Sequence, residues 1–126
     1  MEFLFHLFQS DGFEPSLSPE SLETEGFVHL SNSEQLLRTA NRWFQDAKDL
    51  KVMVLRTEQL QEHLKWEDLY DRGEEFPHFY APIPRSAVAA VVVAIAMVLL
   101  GEYTKTRGRL LLTALVMAAY FFASLG

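Results

Sequence analysis

The pattern of hydrophobic and polar residues predicts several strands in the first part of the chain. Short apolar runs at residues 3–8 and 26–30 are typical of strands, and the run at 51–55 is typical of a buried central strand. Residues 64–67 predict a brief extended piece, and the prolines within residues 76–84 favour extended backbone there. Several strands with one principal helix indicate an α+β fold.

One main amphipathic helix is predicted between the second and third strands. Ser31 and Glu34 have the spacing of a capping box, with Ser31 as the N-cap. Six apolar residues then fall on one side of a helix, which would face the core: Leu36, Leu37, Ala40, Trp43, Phe44 and Ala47. Residues 15–25 predict a loop, and Thr57 opens one helical turn through Leu60.

Beyond Arg85 the pattern changes, because almost every residue there is apolar. Residues 86–101 and 110–126 carry no charge and would form helices that are hydrophobic on all sides. Each large apolar side chain left in water costs about 1.5–3 kcal/mol, so lipid is the more favourable solvent for these stretches. We therefore predict a soluble domain over residues 1–93 and a hydrophobic membrane tail over residues 94–126.

Two interpretations of residues 86–101 stay open. In one, they form a membrane hairpin with residues 110–126, and the basic loop between them places the head outside the cytoplasm. In the other, residues 87–93 close the head as a buried strand, and only Leu110 onward spans. The second interpretation places the head in the cytoplasm. The N-terminal sequence favours this interpretation, because the apolar residues there are not preceded by the basic segment of a secretory signal.

Charge and composition exclude several functions. Residues 1–85 hold eight Lys and Arg against sixteen Asp and Glu, and so acidic a head repels the phosphate backbone of nucleic acids. The absence of cysteine excludes disulfides, thiolate nucleophiles and Cys-ligated zinc. Because His6, His29 and His78 lack the spacing of ligands such as His-x-x-x-His, no metal site is predicted.

Four segments together resemble a small bacterial family, domain of unknown function 952. They are Glu25-Gly26-Phe27-Val28-His29-Leu30-Ser31, Leu64-Lys65-Trp66-Glu67, Phe76-Pro77-His78-Phe79-Tyr80-Ala81-Pro82-Ile83-Pro84, and Phe5-His6, which is similar to the family's Tyr-His start. The resemblance covers residues 3–93 and implies a compact split β-barrel or mixed sheet related to the ADP-ribosyltransferase fold. No activity is established for the family, and its members usually stop where the apolar tail of this chain continues.

The segments that carry this resemblance contain the candidate site residues. The resemblance implies a pocket for NAD or a ribosylated nucleotide, with transfer or hydrolysis at the anomeric carbon. His29 and Glu67 are the catalytic candidates: His6 and His29 would hold the ribose and nicotinamide, and Glu67 would stabilise developing positive charge. The ligand-binding candidates are His6, Ser31, His78, Tyr80 and Trp66.

A non-catalytic function stays open beside this enzyme-like one. The head could bind a small ligand without reaction, or serve only as a structural module anchored at a membrane. Ser31 is required as a helix cap in either case, Trp66 and Tyr80 are typical of a core, and single histidines are often structural. The presence of three histidines within the motifs nevertheless favours a ligand pocket.

Overall fold

The computed structural model describes residues 2–94 and contains six strands and two α-helices. The strands are β1 (Phe3–Gln9), β2 (Val28–His29), β3 (Leu50–Arg56), β4 (Leu64–Glu67), β5 (Phe76–Phe79) and β6 (Val88–Val93). The helices are α1 (Glu20–Thr24) and α2 (Leu36–Trp43), and 3₁₀ turns lie at Thr57–Gln59, Gln61–His63 and Arg85–Ala87. Each predicted strand is therefore confirmed, although β2 is shorter than predicted.

The strands form two antiparallel sheets of three strands each. The first sheet has the order β1-β3-β6 and the second the order β2-β5-β4. Phe5 and Ser31 form a bridge between them through reciprocal backbone hydrogen bonds of 2.9 Å. The α+β class is confirmed, with two small antiparallel sheets in place of one mixed sheet, and the split β-barrel stays a prediction. The strands do not form one sheet because β2 is only two residues long and pairs with β5 alone.

The first sheet lies between helix α2 and the second sheet, so both of its faces are buried. Phe5 and Val54 point to one face and pack with Leu36 and Ala40 of α2. The side chains of adjacent residues, such as Leu4, Met53 and Leu55, point to the opposite face of the sheet. There they pack with Val28, Leu30 and Phe79. Because successive side chains of a strand alternate between faces and both faces are buried, β1 and β3 are mostly apolar, with His6 and Lys51 as buried polar exceptions.

Helix α2 begins later than predicted, and Ser31 is not its cap. Asn32 Oδ1 accepts hydrogen bonds from the backbone N–H of Glu34 and Gln35 at 3.0 and 2.9 Å, and Gln35 Oε1 accepts the Asn32 N–H at 3.1 Å. This reciprocal arrangement has the spacing of a capping box shifted by one residue, and it closes the turn at residues 33–35 that leads into α2. The shift leaves Ser31 free to bridge β1, and its hydroxyl donates to Thr39 Oγ1 at 3.3 Å.

The shifted capping box gives a stability prediction. Asn32→Ala should lower the free energy of unfolding by about 1 kcal/mol, because two backbone donors lose their acceptor. The exposed neighbour Ser33 is the matched control, and Ser33→Ala should change stability by less than about 0.5 kcal/mol. Urea unfolding followed by circular dichroism measures both variants, and equal effects would contradict the assigned cap.

Strand β6 decides between the two interpretations of residues 86–101. Val88 to Val93 pair antiparallel with β3, and Ala89 and Ala90 are buried against α2's side of the sheet. These residues close the head as a strand, as the second interpretation predicts, so residues 88–93 are not part of a membrane hairpin. No helix within residues 2–94 is long and apolar enough to cross a membrane. The predicted tail, apart from Ala94, lies outside the described residues.

Candidate functional site

A cavity of about 410 Å³ opens beside the three motif histidines. It lies between β1, the C-terminal half of α2, the strands β2 and β5, and the loop that follows β4. Its lining is mostly apolar and aromatic and consists of His6, Leu7, His29, Leu30, Ser31, Thr39, Trp43, Phe44, Tyr70, Arg72, Phe76 and His78. Both the volume and the character of the lining are typical of small-molecule sites.

His6 lies on β1 and is almost completely buried. Its Nδ1 donates a hydrogen bond of 2.9 Å to the backbone carbonyl of His29, since a carbonyl oxygen can only accept. Burial lowers the pKa of His6, although the bond to the His29 carbonyl partly opposes this. The imidazole is therefore neutral at physiological pH, and its Nε2 carries a lone pair.

His29 lies on β2, and its imidazole bonds to a carboxylate that also accepts a hydrogen bond from a tyrosine. Gly26, at a φ of 90°, turns the chain from α1 into this strand. Glu25 Oε2 accepts a hydrogen bond of 2.8 Å from His29 Nε2, and Glu25 Oε1 accepts one of 3.0 Å from the Tyr70 hydroxyl. The bond from His29 is the main cause of the lowered pKa of Glu25. Because Nε2 bonds to Glu25, Nδ1 is the His29 ring nitrogen that remains for a ligand.

His78 on β5 has the same kind of support. Its Nδ1 lies 3.0 Å from Glu67 Oε1, which also accepts a short hydrogen bond from the Tyr80 hydroxyl. These bonds, the one from Tyr80 first, lower the pKa of Glu67, while the carboxylate raises the pKa of Tyr80 to about 12. Burial lowers the pKa of His78 and outweighs the opposing effect of Glu67, so the imidazole is neutral.

The histidines of the two Glu–His–Tyr groups lie on the neighbouring strands β2 and β5, and their rings contact each other. His29 and His78 are register partners, and their ring centroids are 5.6 Å apart at an interplanar angle of 83°. Phe27 stacks on His78 at 4.2 Å and meets the edge of His29 at 4.8 Å. The rings are thereby fixed by packing as well as by hydrogen bonds. The arrangement presents oriented imidazole nitrogens that can accept a proton or a hydrogen bond.

The histidines do not form a metal centre. Within residues 2–94, no group of three or more His, Asp or Glu side chains is placed where it could hold a metal ion. Glu25 and Glu67 bind histidine and tyrosine, and His6 bonds to a backbone carbonyl.

Four of the predicted site residues line the cavity, and three do not. His6, His29, Ser31 and His78 are in its wall. Glu67 and Tyr80 are placed behind His78, so Glu67 acts through that imidazole. Trp66 is 44% exposed and contributes nothing to the cavity wall. The assignment of catalytic and binding roles to these residues stays a prediction.

Sequence reasoning missed several residues of the site, above all Trp43 and Arg72. Trp43 was predicted to lie in the core stripe of α2, but its side chain is 61% exposed and lines the cavity. Arg72 and Tyr70 lie in the loop between β4 and β5, in which no site residue was predicted. Glu25 was part of a motif, but no role in the site was predicted for it. The position of Trp43 toward the end of the helical stripe was the one available signal.

The buried histidines give a pH prediction. His6 has a pKa below its ordinary value of 6.5 in the folded protein. Its stabilising contribution is therefore fully present above about pH 6.5 and is lost as pH falls through the folded pKa, because the unfolded chain binds the proton more readily. We expect the melting temperature to fall between pH 7 and 5, before most carboxylates titrate.

The variants His6→Gln and His63→Gln test this assignment. His6→Gln should flatten the dependence, whereas the exposed His63 is the control and its replacement should preserve the fall. A melting temperature that is constant from pH 7 to 5 in the unsubstituted protein would contradict the prediction.

Comparison with known proteins defines the class. The model of the family described as "Protein of unknown function (DUF952)" matches residues 8–91, and the chain belongs to this family. The family resemblance inferred from the motifs is therefore confirmed. Its finer implication, a relation to the ADP-ribosyltransferase fold, stays a prediction.

The chain is also similar to a particular solved protein, CC0527 from Caulobacter crescentus. Its crystal structure gives a TM-score of 0.62 and 28% sequence identity, covering 72% of this chain and 84% of that one. Its solution NMR structure gives a TM-score of 0.58 and 29% identity, covering 74% and 84% respectively. No curated protein matches the sequence with significant similarity. These comparisons define a fold and a family and leave the reaction to be inferred from the site.

Proposed function

We propose that the cavity binds NAD or a ribosylated nucleotide and that the head transfers or hydrolyses it at the anomeric carbon. The observation that carries this proposal is the pair of Glu–His–Tyr groups whose histidines contact each other at one cavity wall. A base held by a carboxylate beside a pocket is the arrangement that general base catalysis requires. The resemblance to the ADP-ribosyltransferase fold supports the choice of substrate as an analogy.

In hydrolysis, His78 is the general base. A water proton moves to Nε2 of His78 while the water oxygen forms a bond to the anomeric carbon of the ribose. The bond from that carbon to the nicotinamide nitrogen breaks, and its electron pair neutralises the positive pyridinium. Glu67 keeps the other proton on Nδ1 and stabilises the imidazolium, so it is a positioning residue.

The remaining side chains of the cavity position the ligand. His6 and His29 each offer a ring nitrogen that can form a hydrogen bond with a ribose hydroxyl. Trp43, Phe44 and Tyr70 offer planar rings on which a base or the nicotinamide can stack.

The test is a binding and turnover assay on the full-length chain, kept in mild detergent because of its apolar C-terminal residues. Addition of NAD, ADP-ribose or nicotinamide should raise the melting temperature, and incubation with NAD should release nicotinamide. If none of these compounds shifts the melting temperature and no nicotinamide appears, the proposal is wrong.

The second candidate is a binding module without catalysis. Among the described cavity-lining residues, Ser31, Thr39 and Tyr70 carry hydroxyl groups. The Ser31 hydroxyl donates a hydrogen bond to that of Thr39. No described hydrogen bond connects Ser31 to a histidine, so the cavity offers no serine activated by a base. A raised melting temperature with NAD but no nicotinamide release would favour this function.

We also propose that the head is tethered to a membrane, as the tail composition predicts. Strand β6 uses the valines up to Val93, so residues 110–126 are the stretch left for spanning. Their length, seventeen residues, is at the short end of the spanning range. The full-length protein should sediment with membranes after cell lysis and stay there in alkaline carbonate. Recovery as a monomer in the detergent-free supernatant would contradict this.

A further inference from the structure

The cavity has a cationic side chain at its rim although the head is acidic. Arg72 is in the cavity lining, while no aspartate or glutamate is among the described lining residues. Residues 1–85 nevertheless carry twice as many acidic as basic residues. The described part of the cavity wall therefore holds an arginine and no carboxylate, although the head as a whole is acidic. This arrangement favours an anionic ligand in the cavity.

The guanidinium of Arg72 lies over two exposed aromatic rings. It is 5.2 Å from the centre of the Trp43 ring and 5.6 Å from that of Tyr70. Trp43 is 61% exposed and Tyr70 50%, which places all three side chains at the solvent side of the cavity. Within the described chain, no carboxylate forms an ion pair with Arg72. Its fork of N–H donors is therefore available to an anionic ligand.

The loop that carries Arg72 is held in one conformation by Asp68. The Asp68 carboxylate accepts hydrogen bonds from the backbone N–H of Arg72 at 2.9 Å and of Gly73 at 2.8 Å. Asp71 and Gly73 both have positive φ, of 53° and 77°. A left-handed conformation on each side of Arg72 requires such local support, which the Asp68 bonds provide. The guanidinium is thereby presented to the cavity by a specified turn.

We infer that Arg72 binds a phosphate group of the ligand at the rim of the cavity, with the Trp43 and Tyr70 rings beside it. The planar ring and the ribose of the ligand then lie deeper in the cavity than the phosphate, next to the histidines. This inference rests on the proposed function, since it assigns the phosphorylated end of the proposed ligand. It makes Arg72 a specificity-determining residue that separates phosphorylated compounds from their uncharged parents.

The experiment compares phosphorylated and unphosphorylated probes by calorimetric titration of the full-length chain in mild detergent. One pair is adenosine monophosphate with adenosine, and a second pair without ribose is phenyl phosphate with phenol. The phosphorylated member should bind about 10- to 100-fold more tightly, because charge-assisted hydrogen bonds form only with it. Arg72→Gln should remove this preference, so that the phosphorylated compound binds no more tightly than its parent.

Arg42 supplies a matched control, and Asp68 a second variant. Arg42 also lies over the Trp43 ring, at 5.4 Å, but it is not in the cavity lining. Arg42→Gln should therefore change the phosphate preference by less than about twofold. Asp68→Ala keeps the charge of Arg72 but removes the support of its loop, and it should reduce the preference in the same direction as Arg72→Gln.

The outcomes separate this inference from the proposed function. If the adenosine pair does not bind but phenyl phosphate binds more tightly than phenol through Arg72, the nucleotide function fails and the phosphate site stands. Equal affinities within each pair, a preference that survives Arg72→Gln, or no binding of any phosphorylated probe would overturn the inference.

Discussion

Replacing His78 with glutamine should reduce nicotinamide release from NAD by about 10²- to 10⁴-fold, the contribution expected of a general base. Glutamine can keep a hydrogen bond to Glu67, but its amide does not accept a proton at neutral pH. Binding of NAD should weaken far less than turnover, because the cavity walls remain. The measurement is single-turnover release of nicotinamide, with affinity determined separately by titration.

The controls for His78→Gln separate catalysis from folding. His63→Gln removes an exposed imidazole outside the cavity and should leave the rate unchanged. The melting temperature of His78→Gln establishes whether the head is folded. A folded variant that releases nicotinamide at the unsubstituted rate would remove His78 from the mechanism.

Glu67→Gln distinguishes positioning from a merely structural role, even if His78→Gln does not fold. Glu67 raises the pKa of His78 against the larger lowering by burial. Removal of the carboxylate should lower the pKa of His78 further and shift the acid limb of the pH–rate profile to lower pH. A loss of rate with an unmoved profile would indicate that Glu67 only holds the fold.

The largest stability effect is expected at Leu55 of β3. Its side chain is fully buried between the two sheets, where it packs with residues such as Leu4, Leu60 and Ile83. Leu55→Ala should lower the free energy of unfolding by about 2–5 kcal/mol, because it removes apolar contacts and leaves a cavity. For a head of this size the melting temperature should fall by roughly 10 °C or more.

Leu69→Ala is the matched control for Leu55→Ala. Leu69 is 52% exposed and follows β4, so the same truncation should change stability by less than about 0.5 kcal/mol. Denaturant unfolding of both variants measures the difference. Similar losses at the two positions would contradict the placement of β3 between two packed layers.

Part of the site could be predicted because its residues lie in recognisable motifs. His6, His29 and His78 were identified on three separate strands, and the structure brings His29 and His78 into register. The partners of these histidines could not be predicted. Glu25 is only four residues from His29, but its bond depends on the turn at Gly26. Arg72 reaches Trp43 across many residues of sequence, and only the fold determines such a distance.

The sequence alone determined the strands, the amphipathic helix α2, the acidic head and the apolar character of residues 110–126. Those features follow from the spacing and the transfer free energies of neighbouring side chains, which are local properties. The tertiary structure alone decided that Asn32 closes the turn leading into α2, that Trp43 lines a cavity instead of the core, and that β6 pairs with β3. These outcomes depend on register, turn conformation and competition between distant side chains, and no local pattern contains that information.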